Sequence, residues 1–394
     1  MKPGTRGFVG ARLREAREAR GLTAASLAEV LGLTRAAISQ YEHDHKRPSP
    51  DIMGRICTIT RLPERFFTEP VPDDPPQRIF YYRSQSAATK AARLRSERKL
   101  DWLARVVAWL EELIAFPKTD VPALIETARP IEIRDEDLEE AAQEIRRRWG
   151  LGGGPISNVA WLLENHGVLV TRFSLHAEAL DSFSERHSSG RPFVILSSDR
   201  ESAFRSRFDA AHELGHLLLH NAVLAKDIWK PVEHKLMESQ AHRFASAFLL
   251  PARSFARTVT STTLEGLKNL KRQWGVSMQA IAMRLNDLKL IDDDAKIRFF
   301  RAFSARGWRT REPFDDETPA EQPELLRQAF EMLIAHRAVV PSDILSALPY
   351  DSQDIEELSG LPVGSLAATR DKSPAIVEIE RPNVRGEVIP FRQR

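Results

Sequence analysis

The ten residues AHELGHLLLH (211–220) set two histidines and a glutamate in an otherwise apolar run. Four residues advance an α-helix by about one turn plus 40°, so His212 and His216 face one side and can grip one ion. Glu213 is offset from that pair, within reach of a water on the ion's open side, where it would act as general base. Phe204, Phe208, Leu217 and Leu218 flank the three and mark the helix as buried. Two histidines and a glutamate on a buried helix are costly unless something holds them. Any fold of this chain must bury that helix and still leave room on one side for a metal ion.

The chain has a single cysteine, Cys57, which excludes both an internal disulfide and a thiolate-held zinc. A catalytic Zn²⁺ then needs its third ligand from His, Glu or Asp. The following helical stretch, HKLMESQAHRFASAFL, carries Glu238 and His242 one turn apart, with His234 a turn before Glu238. His220 is also near, but eight residues from His212 it has rotated off the ligand face by about 80°. A carboxylate would complete a His₂Glu set. On the residues alone, His242 stays a rival to Glu238.

A second constellation lies upstream, in LTAASLAEVLGLTRAAISQYEHDHKRPSPDIMGRI (22–56). Thr23 suits the N-cap of a short helix with Leu27, Val30 and Leu31 inward, and Gly32 supplies a turn. Thr34 suits the cap of a second helix with Ile38 and Tyr41 inward. Arg35, Ala36, Ser39 and Gln40 are left on its outer face. Arg and Gln can meet base edges in a major groove, while small residues allow close approach. Lys46 and Arg47 just beyond suit phosphate contacts. The whole chain carries only +2, but residues 1–70 hold 12 Lys and Arg against 8 Asp and Glu, which leaves +4 there and −2 elsewhere. A uniform polyanion binder is excluded; one basic module among acidic neighbours is not.

About 60 residues of the N-terminal segment, 22–56 among them, closely resemble the lambda-repressor-like (XRE) helix-turn-helix family. The turn EHDHKRPS, with Glu42, Lys46, Arg47 and Pro48, stands where that family has an ENGKRxPS-like turn. Ala24 departs from the phosphate-contacting glutamine of many members. RFDAAHELGHLLLH (207–220) followed by ESQAHRFASAFLLP (238–251) resembles the ImmA/IrrE family of zinc metallopeptidases. The resemblance implies His212 and His216 as ligands, Glu213 as base and Glu238 as third ligand. His242 is a departure, since an asparagine is usual there. Fusions of the two kinds resemble bacterial and phage regulators whose peptidase cleaves a repressor or acts as a sensor.

The fold expected is mainly α with a small α+β domain. A helix-turn-helix bundle (1–69) leads through a linker (70–86) to a zincin-like peptidase domain with a short antiparallel sheet (87–306). A second linker (307–323) precedes a C-terminal helical domain (324–394), with a terminal hairpin in AIVEIERPNVRGEVIPF (375–391). Strands are expected in RIFYYRS (78–84), GVLVTRFSL (167–175) and FVILSS (193–198). The glycine run 152–154 reads as a turn, and the aromatic-basic run 296–311 as packing at a domain edge. The longest apolar runs are too short to span a membrane, and no signal-type segment opens the chain, so a cytoplasmic location is expected. The expected partners are a double-stranded DNA operator, bound as a homodimer, and a protein substrate or partner repressor. The alternatives are a non-catalytic, antitoxin-like regulator with a structural or sensing metal domain, and a peptidase whose helix-turn-helix binds protein.

Overall fold

The computed structural model describes residues 4–71, 80–82, 89–177, 180–187, 189–199, 202–223 and 230–367. The hairpin expected at 375–391 and most of the linker 70–86 lie outside the described residues.

The N-terminal bundle is built from α1 (Gly10–Ala19), α2 (Ala24–Leu31), α3 (Arg35–Glu42) and α4 (Pro50–Thr60). Its helix starts are fixed by side-chain caps. The Thr23, Thr34 and Ser49 hydroxyls accept from the backbone N–H of Ser26, Ala37 and Ile52, satisfying donors that a helix start leaves orphaned. Gly32 ends α2 at φ 63°, a conformation cheap only for glycine. Leu27, Leu31 and Ile38 are buried as expected, but Val30 is 55% exposed. Leu27, Ala28 and Leu31 define the inner face of α2, and residue 30 lies roughly 100° from its centre.

Four strands form one sheet in the order β1 (Phe80–Tyr82), β3 (Ser182–Arg186), β4 (Pro192–Ser197), β2 (Leu169–Phe173). The sheet is mixed, where the sequence suggested an antiparallel one. β3 pairs antiparallel with both β1 and β4, while β2 and β4 run parallel. β3 and β4 make a hairpin, and the returning arm inserts beside β2 in the same direction. β3 has no apolar run to announce it, yet Ser182, Phe183, Ser184 and Glu185 are all buried.

Helix α8 (Ala203–Leu219), which carries His212 and His216, lies against β3 and β4. Helix α9 (Pro231–Leu249) crosses α8 and also packs on α6 (Asp135–Arg148). Gly215 allows the crossing to be close, because a Cβ there would stand 3.0 Å from Phe244 and 3.3 Å from the Ala241 Cα. Leu214, Leu217, Leu218, Phe244 and Phe248 fill the shared core with Leu267, Trp274 and Ile281 from the later helices α11 (Leu264–Trp274) and α12 (Met278–Asp287), which follow the short α10 (Ala252–Thr258). Phe299 and Phe303 of α13 (Asp293–Ala305) join that core. Residues 307–323 run along this body: Lys271, fully buried, binds both Glu312 (2.8 Å) and Asp315 (2.6 Å).

A second core joins the N-terminal bundle to α5 (Lys90–Glu111) and to the C-terminal helices α14 (Leu325–Ala335), α15 (Pro341–Ala347) and α16 (Ser352–Ser359). Trp102 of α5 stacks on Tyr350 at 5.0 Å and meets Phe66 edge-on. Asp354, 3% exposed, accepts both arms of Arg20 (2.6 and 2.5 Å) and the Lys99 ammonium (3.0 Å). Burial alone would raise its pKa; Arg20 and Lys99 outweigh that and hold it below the usual carboxylate range. Arg65 donates to the carbonyls of Leu345, Ser346 and Leu348. On the other side, the Thr171 hydroxyl of β2 donates to the Leu358 carbonyl (2.7 Å). Glu164 of α7 (Val159–Asn165) accepts from the N–H of Glu324 and Leu325 at the start of α14. Among the described residues, no helix is long and apolar enough to cross a membrane.

Candidate metal centre and nucleic-acid interface

The helical spacing brings His212 and His216 together. Their Nε2 atoms stand 3.1 Å apart, and both side chains are at most 1% exposed. α9 delivers Glu238 to the same point. One carboxylate oxygen lies 3.2 Å from His212 Nε2 and the other 3.2 Å from His216 Nε2. The neighbouring imidazoles hold the Glu238 carboxyl far below its ordinary pKa, against a burial that would raise it. His212 is shifted the other way: burial holds it well below the usual imidazole range, against the pull of Glu238. His216 is raised, because Glu238 outweighs the same burial.

His242 also reaches the cluster. Its ring lies 4.8 Å from that of His212, and potential ligand atoms of His212, Glu238 and His242 fall within 4.8 Å of one another. The rival third ligand is therefore at hand beside Glu238. His234 is half-buried and not part of that group. The donor set suits a cation. Lone-pair atoms converge at about hydrogen-bond distance, and one oxygen of Glu238 is buried without a hydrogen-bond partner. Imidazole nitrogens with one carboxylate match the preferences of Zn²⁺.

Glu213 is fully buried and points to the sheet. The hydroxyls of Ser182 and Ser184, successive same-face residues of β3, each donate to one of its oxygens at 2.6 Å. Burial pushes its carboxyl up to about 7, opposed by His216 and the two hydroxyls. A carboxyl that titrates near neutrality can both take and return a proton.

Four contributors escaped the sequence reading. Ser182 and Ser184 sit on a strand without apolar patterning. Tyr81 of β1 stacks on His216 (4.9 Å) and donates to the His220 carbonyl (2.8 Å). Its partner in the register, Ser184, could not be known before the sheet was formed. Gln240 and the set-aside His220 lie behind His216: His216 Nδ1 is 3.0 Å from His220 Nδ1, and His220 Nε2 is 3.1 Å from Gln240 Oε1. The only available hint was the one-turn spacing His212, His216, His220. A cavity of about 720 Å³ opens beside the cluster, with His242, Phe208, Ser246 and Arg205 on its wall.

The second candidate surface lies at the other end of the chain's order. Arg35, Ala36 and Ser39 are exposed on α3, Gln40 is half-exposed, and Lys46 and Arg47 are exposed just beyond. None of the ties to α5 or the C-terminal helices involves these six. Arg17 binds Glu42 (2.5 Å) and the Gly10 N–H donates to Asp44 (2.7 Å), fixing α3 and its following turn against α1.

Comparison with known proteins fits both surfaces. Residues 13–67 match the helix-turn-helix family, and residues 163–286 match the IrrE N-terminal-like domain of the Peptidase_M78 family. The fusion expected from the sequence is present. Among solved structures, the chain is similar to a Mycobacterium tuberculosis transcriptional regulator at 19% identity and a TM-score of 0.28, covering 38% of this chain and 46% of that one. The chain thus spans less than half the length of that regulator. No curated protein matches it.

Proposed function

We propose that this chain, which joins a helix-turn-helix module to an IrrE N-terminal-like domain, is a DNA-binding regulator that hydrolyses a peptide bond in a regulatory protein, in cis or in trans. The observation that carries the reading is the convergence of His212, His216 and Glu238 within 3.2 Å beside a buried Glu213. The three would hold Zn²⁺, with His242 next to them as the alternative to Glu238. When bound, that ion supplies Lewis acidity, polarising a peptide carbonyl and easing deprotonation of water. Glu213 takes the proton and returns it to the leaving amine. The Ser182 and Ser184 hydroxyls hold its carboxylate in place, and the adjoining cavity admits the polypeptide. Arg35, Ala36, Ser39 and Gln40 read the operator while Lys46 and Arg47 bind phosphate, on a two-fold site as a homodimer.

A second reading keeps the DNA and the metal but omits hydrolysis. It is favoured by the full engagement of both Glu213 oxygens with serines. Glu213→Gln separates the two. The variant should keep about one zinc per chain and cleave a partner repressor at least about a hundredfold more slowly. If regulation in cells is unchanged by it, hydrolysis is not the mechanism. If wild-type protein purifies with far less than one zinc, the centre itself is wrong.

A further inference from the structure

We infer that His220 and Gln240 are positioning residues that fix the ring tautomer of His216, so that its Nε2 presents a bare lone pair to the metal. The inference rests on the metal-centre part of the reading above and is independent of hydrolysis.

The argument starts at the far end of the chain of contacts. The Gln240 side chain is buried, and its amide nitrogen lies 2.7 Å from the Pro130 carbonyl and 3.3 Å from the Ile133 carbonyl. Both are pure acceptors, so the NH₂ must face them; the flipped amide would set an oxygen against two oxygens. Gln240 Oε1 then faces His220 Nε2 at 3.1 Å as an acceptor, so that nitrogen carries the proton. His220 is wholly buried, with no carboxylate in hydrogen-bond contact among the described residues, and a buried ring without such a partner is neutral. With one proton, on Nε2, its Nδ1 is an acceptor. That atom lies 3.0 Å from His216 Nδ1, which must be the donor. With its Nδ1 committed as donor, the His216 ring can meet a cation only through Nε2, and Nε2 is the atom that stands among His212 and Glu238.

One ligand is therefore preset by a relay that begins at two backbone carbonyls. The other is not: His212 Nδ1 is buried without a partner. Tyr81, stacked on His216 and bonded to the His220 carbonyl, holds the rings of the relay in register. Outer partners of this kind orient a ligand and raise its basicity, and their loss commonly weakens metal binding by about 10–100-fold.

The test uses full-length protein with ¹⁵N-labelled histidine, metal-free, above neutral pH. The imidazole ¹⁵N shifts should show His216 protonated on Nδ1 and His220 on Nε2. Gln240→Leu removes the acceptor and should free the tautomers and weaken zinc, measured by chelator competition, at least about tenfold. Gln240→Glu sets a carboxylate against His220 and an oxygen against the Pro130 and Ile133 carbonyls, so it should charge His220, make its Nδ1 a donor and displace the proton from His216 Nδ1. A purely structural role for Gln240 predicts a loss of affinity with the His216 and His220 shifts unchanged in both variants, and that result overturns the inference. So does a His216 without a proton on Nδ1 in the metal-free wild type. Failure of the wild type to bind zinc would sink the metal centre, while the shifts still decide the relay.

Discussion

Arg35, Ala36 and Ser39 stand in solvent on one face of an eight-residue helix, whereas His212, Glu213 and His216 are at most 1% exposed inside the molecule. The first region gathers its chemistry from residues that are neighbours in sequence. The second borrows Glu238 from another helix, two serines from a strand and a glutamine from beyond the cluster. A surface that meets a partner needs only local helix geometry and caps. A buried polar cluster needs partners for most of its groups, so its members come from wherever the fold can supply them. The back of the N-terminal module shares the second habit. Its Arg20 ends in a buried carboxylate contributed 334 residues later.

That contrast breaks most visibly at Asp354. Replacing it with alanine leaves Arg20 and the buried Lys99 with only Glu357 to offset two positive charges, and should cost about 3–5 kcal/mol in chemical denaturation. A loss under about 1 kcal/mol would show that the junction is solvated and the module loosely attached.

Glu164 gives the next effect. Burial pushes its carboxyl up to about 7 from 4.5, while the N–H groups of Glu324 and Leu325 pull it back. The fold therefore favours the protonated form. Its stabilising contribution is complete below about pH 4.5 and is lost as pH rises through 7, on the order of 3 kcal/mol in all. Glu164→Gln should remove that component, so that the difference in unfolding free energy between variant and wild type grows from pH 4.5 to 7. A constant difference across that range would mean the carboxyl is not desolvated.

At the exposed face the expected effects are smaller and fall on binding alone. Arg35→Ala and Gln40→Ala should each weaken a duplex selected by the wild-type protein from a random library by about 1–3 kcal/mol, leaving the melting temperature within a degree or so. Unchanged affinity would place the base-reading elsewhere; a fall in melting temperature would mean that face is structural.

Much was legible before any coordinates. The caps at Thr23 and Thr34, the glycine at 32 and the outward face of α3 follow from local rules, and all stand in the structure. The one slip there, Val30, came from assigning too wide an inner face to a two-turn helix. At the metal centre, helical spacing alone put His212 beside His216 and turned Glu238 and His242 to one side. What it could not reveal were partners joined through space. Ser182 and Ser184 sit on a strand without an apolar run, and the parallel pairing of β2 with β4 depends on where a hairpin arm inserts. The turn of His220 away from His212 could be read from spacing, but its bond to His216 needed the ring positions.

The sequence by itself determined which residues could carry charge to DNA and which could hold a metal, because a helix converts spacing into direction with no help from the rest of the chain. The tertiary structure decided what surrounds them. It welded the N-terminal module to helices near the other end of the chain, and it lined up Gln240, His220 and His216 in one row with His212 and Glu238. Those arrangements depend on pairing between distant segments, where the cost of leaving a buried polar group alone selects the partner.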